Sequence, residues 1–556
     1  MKFLPTFAWT LFFLLATSTK LVATVTVTKM FSNNMVLQRS MPVPIWGKAS
    51  SGEQITVTLN GKSKTVTTPS NGAWKVVLDS MAAGGPYTVT ITGANTVTIT
   101  GVYVGEVWQV AGQSNMDTRL SFYANLADSI KTANYALLRY NTLRQPGQTS
   151  TGSNPWLVVS PSTAPDLSAV GYFFGREIQK TTGVAVGLIV TAVGGTTLAS
   201  WQDPATLAAN PNINDSDKGA MWNTWVAPVA GYGVRGTIWI QGEQDCNSAS
   251  SPTYGERFKL LIKGWRAAWG QGDFPFYFMS LSSIHSAQTD PNNVSPVAVV
   301  REGQRMALAV PKTEMGVTID LGEVNNWHYA NKPETGRRFA LIAKVNDYGQ
   351  SSLVYSGPMY QSKTINGNQI KLLFNTYGSG MVAKGGGALT GFAIAGATGN
   401  WVWATATIKG DTVIAYSASV TAPTRVRYAW ADNPIFNLFN TEGLPAAPFS
   451  TESPAIPVAI SQRSPGIAER GQPAPAMNPA GRTTISVVTL AKIMSIDSDE
   501  EIQRIGVSDL SGRAWKIVKP GARRATIDLR ALTEGVYFVS IRTAGGSWVL
   551  KVNIWN

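Results

Sequence analysis

The sequence predicts an α/β protein in which a doubly wound, mainly parallel sheet is flanked by β-rich domains. Strand-like and helix-like segments alternate between residues 101 and 346, as in βαβ units. Alternating apolar and polar residues, separated by turn signals, fill the stretches on either side of this region. The chain has 556 residues, which is too long for one core and suits about three or four domains.

Residues 1–23 have the pattern of a secretory signal peptide. Lys2 precedes an apolar run from Phe7 to Ala16, and Leu21-Val22-Ala23 offers a cleavage site. The run is shorter than the roughly 18 apolar residues that suggest a membrane span. We therefore expect an exported protein. Its single cysteine, Cys246, cannot form an intrachain disulfide.

The formal net charge of +13 is spread along the chain. Basic clusters are short, such as Arg523-Arg524, and no basic helix or RNA-binding motif occurs, so we expect no nucleic-acid partner. A positive field instead favours acidic polysaccharide or an anionic cell surface. One cysteine and two histidines are too few for a structural zinc site.

Residues 24–100 are expected to form an N-terminal β-domain. The segments at residues 54–59 and 87–91 alternate apolar and polar side chains, as half-buried strands do. Asn60-Gly61 and Asn71-Gly72 are predicted hairpin turns, because both residue types tolerate a positive φ.

Residues 101–346 are expected to form the α/β domain. Predicted strands lie at residues 183–190, 234–240, 274–280 and 315–319, and predicted helices at residues 117–133, 168–182 and 253–269. Ser168 is placed to cap the second of these helices. Residues 352–452 are predicted to be β-rich, residues 453–480 to be a proline-rich linker, and residues 481–556 to be a last β-module.

The stretch Val107–Met116 carries the first candidate for chemistry. It places Ser114 after a buried strand and before a predicted helix. A serine at that position can attack a carbonyl, with backbone N–H groups nearby for the oxyanion. Taken alone, a serine beside a glycine more often caps a helix or closes a turn.

A general base has only two histidine candidates, His285 and His328. Each follows a predicted strand. We favour His328, because Asp320, Glu323 and Asn326 precede it and offer groups that fix a ring tautomer.

Two further loops could complete an oxyanion site. Gly194-Gly195 follows a predicted strand, and only glycine lets a backbone N–H approach a substrate so closely. Gln241 follows another strand and could donate its amide. The alternatives are an ordinary strand-to-helix turn and an acidic surface loop.

These stretches together resemble the sialate O-acetylesterase family of SGNH hydrolases. The motifs that carry the resemblance are Val107–Met116, Gly194–Thr196, Trp239–Glu243 and Asp320–Lys332. Further similarity lies in Met35–Arg39, Val43–Gly47, Val426–Trp430 and Glu442–Phe449, so it covers residues 25–451 in the family's order.

The resemblance implies an SGNH-type doubly wound parallel sheet flanked by β-sandwich-like domains. It implies hydrolysis of sugar O-acetyl esters through an acetyl-enzyme, with no metal or organic cofactor. Ser114 matches the nucleophile and His328 the general base, while Gly195 and Gln241 match oxyanion donors beside the backbone N–H of Ser114. The expected substrate is acetylated xylan-type polysaccharide or O-acetyl sialic acid, and the linker with its extra module favours the former.

One departure from the family concerns the histidine. The family usually has Asp-Ile-His-Pro, where this chain has Asn326-Trp327-His328-Tyr329. An asparagine can orient the ring but cannot stabilise imidazolium by charge, and in serine proteases that change costs about four orders of magnitude in rate. Either Asp320 or Glu323 then supplies the carboxylate, or a backbone carbonyl holds the ring of a Ser–His dyad.

The last module resembles C-terminal secretion and sorting domains, through Gly512-Arg513, Leu532 and Gly535–Phe538. This resemblance implies outer-membrane export or cell-surface attachment, with residues 481–556 contacting the secretion machinery or the cell surface. A carbohydrate-binding module is the alternative.

Two other functions compete with the esterase. A glycoside hydrolase would use paired carboxylates such as Glu243 and Asp320 at a set separation. A catalytically weak, sugar-binding surface protein would retain the fold after Asn326 had removed activity. Replacement of Ser114 by alanine would abolish the activity of a serine esterase but would leave glycoside hydrolysis or sugar binding unchanged.

Overall fold

A computed structural model describes residues 24–143, 155–213, 215–452, 485–490, 493–509, 514–518, 521–532, 535–543 and 546–554. The predicted signal peptide at residues 1–23, the predicted linker at residues 453–480 and Gly512-Arg513 lie outside these residues. Within this described part, none of the helices combines the length and the apolar character needed to cross a membrane.

Two layers of strands build the N-terminal region. The strands are β1 (Thr26–Val27), β2 (Val36–Gln38), β3 (Val43–Lys48), β4 (Gln54–Leu59), β5 (Lys62–Thr67), β6 (Ala73–Leu78), β7 (Gly84–Thr92) and β8 (Thr96–Gly112). One layer has the order β1-β3-β6, and the other contains β5, β4, β7, β2 and the first half of β8. Alternate residues of β4 are buried, as its sequence pattern predicts.

The two predicted hairpin turns have different outcomes. The Asn60-Gly61 hairpin is confirmed, since both residues have positive φ (47° and 73°) and join β4 to β5. The Asn71-Gly72 hairpin is wrong, because β6 pairs with β3 and not with β5. Trp74 is buried in the core and begins the alternating apolar face of β6. Burial of this face favours pairing of β6 with β3 over a local hairpin with β5.

The central region alternates helices and strands. Its elements are α1 (Ser114–Asp117), α2 (Ala127–Lys131), β9 (Tyr135–Thr142), β10 (Leu157–Val159), α3 (Ala169–Thr182), β11 (Val186–Ala192), α4 (Pro204–Ala209), β12 (Gly236–Ile240), α5 (Tyr254–Trp269), β13 (Phe276–Met279), α6 (Pro296–Met306), β14 (Thr313–Gly316) and α7 (Lys332–Asn346). The strand order is β10-β9-β11-β8-β12-β13-β14, and β10 runs antiparallel to β9 whereas the other neighbours are parallel.

Helices cover both faces of this sheet. Trp108 and Val110 of β8 share a core cluster with residues of α3 and α7, whereas Val107 and Ala111 share one with residues of α5 and α6. Such two-sided burial explains why parallel strands read as continuous apolar runs. α3 and α7 approach closely, because a Cβ at Gly336 would lie 2.6 Å from Cβ of Phe173.

β8 connects the two regions. Its first half pairs with β7, and its second half lies parallel between β11 and β12. The division expected between residues 100 and 101 therefore falls within one continuous strand. The chain leaves β8 towards β9 and β11 on one side and later reaches β12 on the other, so the carboxyl end of β8 is a topological switch point.

The predicted helix at residues 117–133 is wrong as one continuous element. α1 ends at Asp117, and Arg119 instead forms an antiparallel bridge with Ser168. The Ser168 hydroxyl donates to the Met116 carbonyl (2.6 Å). This contact with the residue that caps α3 competes with continuation of α1 beyond Asp117. The predicted cap of α3 is confirmed, because the same hydroxyl accepts from the Gly171 N–H (3.1 Å).

Most other predicted central elements are displaced by a few residues only. The helix predicted at residues 253–269 is α5, and the strands predicted at residues 183–190, 234–240 and 274–280 are β11, β12 and β13. The strand predicted at residues 315–319 is β14, which ends at Gly316; the chain then turns through a short 3₁₀ helix.

The described chain also contains short helical turns. Those of 3₁₀ type are Leu120–Phe122, Ala124–Leu126, Ala164–Asp166, Leu198–Trp201, Glu243–Asp245, Ser251–Thr253, Ala307–Ala309 and Ile319–Leu321, and Trp222–Val226 is a π-helical turn.

The remaining described chain is β-structure. The first group of strands is β15 (Met359–Asn366), β16 (Gln369–Asn375), β17 (Met381–Ala383), β18 (Phe392–Ala395), β19 (Val402–Trp403), β20 (Thr405–Lys409), β21 (Thr412–Tyr416), β22 (Arg425–Tyr428), β23 (Leu438–Asn440) and β24 (Phe449–Ser450). The second group is β25 (Ile485–Leu490), β26 (Ile493–Ile502), β27 (Arg504–Asp509), β28 (Ala514–Val518), β29 (Ala522–Asp528), β30 (Gly535–Thr543) and β31 (Gly546–Ile554). Each group forms sandwich-like sheets, with orders β15-β16-β21-β20 and β19-β18-β22-β24 in the first and β25-β26-β29 and β28-β27-β30-β31 in the second.

Candidate active site

Ser114 lies at the switch point of the central sheet. It is the first residue of α1 and follows β8 after Gln113 alone. The turn needs glycine at position 112, because Gly112 has a φ of 131° and a Cβ there would lie 2.0 Å from the Ile240 carbonyl oxygen. The sequence therefore brings the end of β8 tightly against the end of β12 and exposes the serine at the edge of the sheet.

Ser114 and His328 line the same groove, whose volume is about 310 Å³. Ser114 comes from the end of β8, and His328 comes from the loop between β14 and α7. The described lining also includes Asp117, Thr118, Arg119, Ser121 and Phe122. The structure thus brings the predicted nucleophile and the predicted base to one surface.

The ring of His328 is half-buried and lies edge-on to Phe122, with ring centroids 6.1 Å apart. In the described part of the chain, neither ring nitrogen of His328 has a hydrogen-bond partner. Burial and the positive charge of Lys332 hold the pKa of His328 below its usual value. The imidazole is therefore uncharged at neutral pH, the form that a general base requires.

The three residues predicted to orient this ring take other contacts. Asn326 Oδ1 accepts from the backbone N–H of His328 (3.0 Å), and Asn326 Nδ2 donates to Glu323 Oε2 (2.6 Å). Both carboxylate oxygens of Asp320 accept from Arg338, at 2.7 and 2.8 Å. These contacts brace the loop around the imidazole, and a direct role for any of the three at the ring stays a prediction.

The Gly194-Gly195 loop lies against the serine. A Cβ at Gly194 would be 3.3 Å from Cβ of Ser114, and Gly195 has a φ of 73° that favours glycine. Among the residues that the structure describes, the Gly195 N–H has no hydrogen-bond partner. Its predicted role as an oxyanion donor stays a prediction that this placement favours.

Gln241 is fully buried behind that loop. Its Nε2 donates to the Thr196 carbonyl (3.1 Å) and to Asp245 Oδ2 (2.7 Å), and its Oε1 accepts from the Tyr254 hydroxyl (3.1 Å). Both N–H groups are therefore committed to protein acceptors, and Gln241 braces the loop that contains Gly195. Donation from Gln241 to a substrate stays a prediction, and it would require one of these bonds to break.

A buried polar cluster beneath Ser114 was not predicted from the sequence. Asn115 Nδ2 donates to Glu243 Oε1 (2.5 Å) and to the Trp327 carbonyl (2.9 Å), and Lys332 Nζ donates to Asn115 Oδ1. Burial lowers the pKa of Lys332 to about 7 and raises the pKa of Glu243. The available signal was a lysine at the first position of a helix, where the helix dipole disfavours a cation.

The two carboxylates of the glycoside hydrolase alternative are not brought to one groove. Asp320 lines a separate cavity of about 590 Å³, together with its partner Arg338. Glu243 lies beside Asn115, and its second oxygen, Oε2, is buried with no hydrogen-bond partner among the described residues.

Comparisons with known proteins agree on one class. A sequence model of the carbohydrate esterases described as sialic acid-specific acetylesterases matches residues 104–343, and a secretion-system C-terminal sorting domain matches residues 490–554. The crystal structure of a carbohydrate acetylesterase from Xanthomonas citri is 36% identical, with a TM-score of 0.71, and the match covers 77% of this chain and 100% of that chain.

The chain is also similar to curated acetylesterases from animals. Sialate O-acetylesterases from Homo sapiens and Mus musculus are each 28% identical to this chain, over 378 and 403 residues. Each match covers 59% of this chain, and they cover 72% of the human protein and 74% of the mouse protein.

The mixed sheet with its covering helices and these matches define a carboxylic ester hydrolase. The sorting domain indicates a secreted or cell-surface protein. More specifically, the chain belongs to the carbohydrate esterase family of sialic acid-specific acetylesterases. Both resemblances stated from the sequence, to this family and to C-terminal sorting domains, are confirmed.

Proposed function

We propose that this protein is an exported O-acetylesterase that removes acetyl groups from carbohydrates through a serine nucleophile on an SGNH-type fold. The observation that carries the proposal is the shared groove of Ser114 and His328 at the carboxyl ends of parallel strands. The Gly194-Gly195 loop, which lies against Ser114, supplies the third feature that acyl transfer needs.

In the proposed reaction, Ser114 Oγ attacks the acetyl carbonyl carbon while His328 accepts the hydroxyl proton. Backbone N–H groups of Ser114 and Gly195 stabilise the oxyanion. The tetrahedral intermediate then expels the sugar oxygen, which receives the proton from His328, and leaves an acetyl-enzyme. His328 next removes a proton from water, which attacks the acetyl carbonyl, and the serine departs with that proton as acetate is released.

The groove favours a neutral acetylated polysaccharide of the xylan type over sialic acid. A sialate carboxylate is bound most strongly by an unpaired arginine or lysine in the site. Among the described residues that line the groove, Arg119 is the one arginine or lysine, and it pairs with Asp166 (2.9 Å). The rim instead presents Phe122, which is 61% exposed and offers an apolar face to a sugar ring.

The test is acetate release from acetylated xylan and from an O-acetyl sialic acid, measured side by side with the wild type and Ser114→Ala. We expect release by the wild type alone and faster release from xylan. Faster release from the sialic acid would replace the substrate assignment but retain the mechanism. Equal release by Ser114→Ala would contradict the serine mechanism, and no release by a folded wild type would favour the sugar-binding alternative.

We further propose that residues 481–556 direct export through contact with the secretion machinery or the cell surface. The support is the sorting-domain match at residues 490–554. In the native host, deletion of residues 481–556 should leave the esterase inside the cell envelope while the full chain reaches the surface or medium. Unchanged export of the shortened chain would contradict this role.

A further inference from the structure

A fully buried lysine lies behind the proposed nucleophile. Lys332 is the first residue of α7, at the end of a helix that disfavours a cation, and its side chain is removed from water. Both effects disfavour a cation at this position. The groups around the ammonium must therefore compensate, and they belong to the proposed active site.

The ammonium is enclosed by one amide oxygen and two aromatic rings. Lys332 Nζ donates to Asn115 Oδ1 and lies 3.7 Å from the centroid of the Tyr329 ring and 5.7 Å from that of Tyr123. Cation–π attraction is strongest for such desolvated cations. Glu243 contributes negative charge nearby without a direct ion pair in the described residues.

This enclosure determines how the Asn115 amide is oriented. Because an ammonium can only donate, the oxygen of Asn115 faces Lys332 Nζ and the NH₂ group faces the other way. The NH₂ group then donates to Glu243 Oε1 (2.5 Å) and to the Trp327 carbonyl (2.9 Å). A flipped amide would place N–H groups against the ammonium and lose all three bonds.

The oriented amide connects three segments of the candidate site. Asn115 belongs to the turn of Ser114, Glu243 to the loop after β12, and Trp327 to the loop of His328. The Trp327 carbonyl is part of the peptide bond that precedes His328. The position of this carbonyl therefore determines the position of the backbone from which the imidazole side chain extends.

We propose that Lys332 is a positioning residue of the esterase site, whose buried ammonium orients Asn115 and thereby ties the peptide bond before His328 to the turn that carries Ser114. This inference rests on the serine mechanism proposed above. It assigns Lys332 no contact with substrate.

The same ammonium acts on His328 through its charge. Its field, together with burial, holds the pKa of His328 below the usual value. The other charged groups near the two residues are Glu323 on the histidine loop, Glu243 after β12, and Asp117 and Arg119 in the α1 region. Loss of the Lys332 charge should therefore raise the pKa of His328 and move the acid limb of kcat/KM to higher pH.

The experiment compares Lys332→Met, which removes both donor and charge, with Lys332→Gln, which retains a donor without charge. Lys344→Met is the matched control, because it removes a cation from the same helix that pairs with Glu177 (2.8 Å) instead. The readouts are kcat and KM for p-nitrophenyl acetate across the pH range and the thermal unfolding midpoint, each also measured for Ser114→Ala.

We expect Lys332→Met to lose about a hundredfold in kcat, the penalty typical of a misplaced catalytic group. Lys332→Gln should recover much of kcat but retain the acid limb at higher pH, and Lys344→Met should match the wild type. Should the methionine variant not fold, the glutamine variant alone decides the question through its pH profile. A folded Lys332→Met with the wild-type kcat, or a folded Lys332→Gln with the wild-type pH profile, would overturn the proposal while Ser114→Ala stays inactive. Activity of Ser114→Ala would overturn the serine mechanism itself.

Discussion

Asn115 donates a hydrogen bond of 2.9 Å to the carbonyl oxygen of Trp327, so the residue after the proposed nucleophile holds the peptide bond before the proposed base. The N–H on the other side of that peptide bond, which belongs to His328, donates to Asn326 Oδ1 (3.0 Å). The peptide bond is thus held at both of its polar atoms. This arrangement fixes the histidine through its backbone, in a loop that lacks the family's aspartate.

Asn326→Asp should lower activity in this chain, although it restores the residue usual in the family. The Asn326 amide donates to Glu323 Oε2 (2.6 Å), and an aspartate there would place two carboxylates in contact. Their repulsion would move the loop that carries His328. We expect kcat/KM for a small acetate ester to fall by about tenfold or more.

The double variant Asn326→Asp with Glu323→Gln supplies the control. A glutamine at position 323 can donate to the new aspartate, so the loop contact returns and activity should recover. A rise in kcat/KM for Asn326→Asp alone would show that the aspartate reaches the imidazole despite Glu323, and would contradict the contact seen here.

Gln241→Leu tests whether this residue braces the loop or donates to substrate. Its amide bonds the Thr196 carbonyl and Asp245, and both acceptors lose a partner on replacement. Asp245 Oδ2 still accepts from the Leu198 N–H (2.8 Å), whereas the Thr196 carbonyl loses the one partner it has among the described residues. An unpaired buried group costs about 1–3 kcal/mol, so the free energy of unfolding should fall by about that amount. We expect kcat to fall as well, because the loop of Gly195 loses its support.

Urea unfolding and kcat, measured on the same preparations of the Gln241→Leu variant, separate the two roles. A bracing role lowers both quantities. A large loss of kcat at unchanged stability would instead support the sequence-based prediction that Gln241 donates directly to the oxyanion.

Parts of the fold with local signals could be predicted from the sequence. The Ser168 cap predicts the start of α3 correctly, because the capping hydrogen bond involves residues three apart. The helix predicted at residues 117–133 is interrupted because Arg119 pairs with Ser168, a contact between distant positions. The prediction of a hairpin at Asn71-Gly72 is wrong for a similar reason, since the partner of β6 is set by core packing.

The candidate site also contains residues that local sequence signals predict and residues whose contacts join distant parts of the chain. Ser114 and His328 could be predicted because the serine lies in a characteristic run and only two histidines exist, and the structure places both in one groove. Asn115 and Lys332 carried no assigned role, since their contact joins residues 217 positions apart. Composition and spacing give no information about such a contact, which exists only once β8 and α7 have packed.

The pH dependence of kcat/KM should have its acid limb below the range of an ordinary histidine. His328 must be uncharged to accept a proton, and burial together with the Lys332 charge lowers its pKa. The pKa of Lys332 is about 7, so its charge is present where His328 titrates. Activity therefore falls only once the pH drops below the lowered pKa of His328.

Initial rates with p-nitrophenyl acetate, corrected for the pH dependence of spontaneous hydrolysis, would give this limb. Its disappearance in His328→Ala would assign it to the histidine. An acid limb at or above the ordinary histidine value of about 6.5 would contradict the prediction.

Arg301→Met should destabilise the protein more than any exposed arginine replacement. The buried Arg301 guanidinium donates to the carbonyls of Leu281, Ser282, Ala431 and Asp432, at 2.5–3.0 Å, and so joins α6 to the chain after β13 and to the segment after β22. Methionine fills much of the space but leaves the carbonyls of Leu281, Ser282 and Ala431 without this donor, whereas Asp432 still accepts from the Ile284 N–H (3.2 Å). The loss should cost about 3 kcal/mol or more. Arg337→Met removes a half-exposed arginine from an ion pair with Glu334 and should cost less than about 1 kcal/mol. Urea unfolding midpoints of the two variants would test the difference, and equal midpoints would show that the carbonyls of Leu281, Ser282 and Ala431 find other partners.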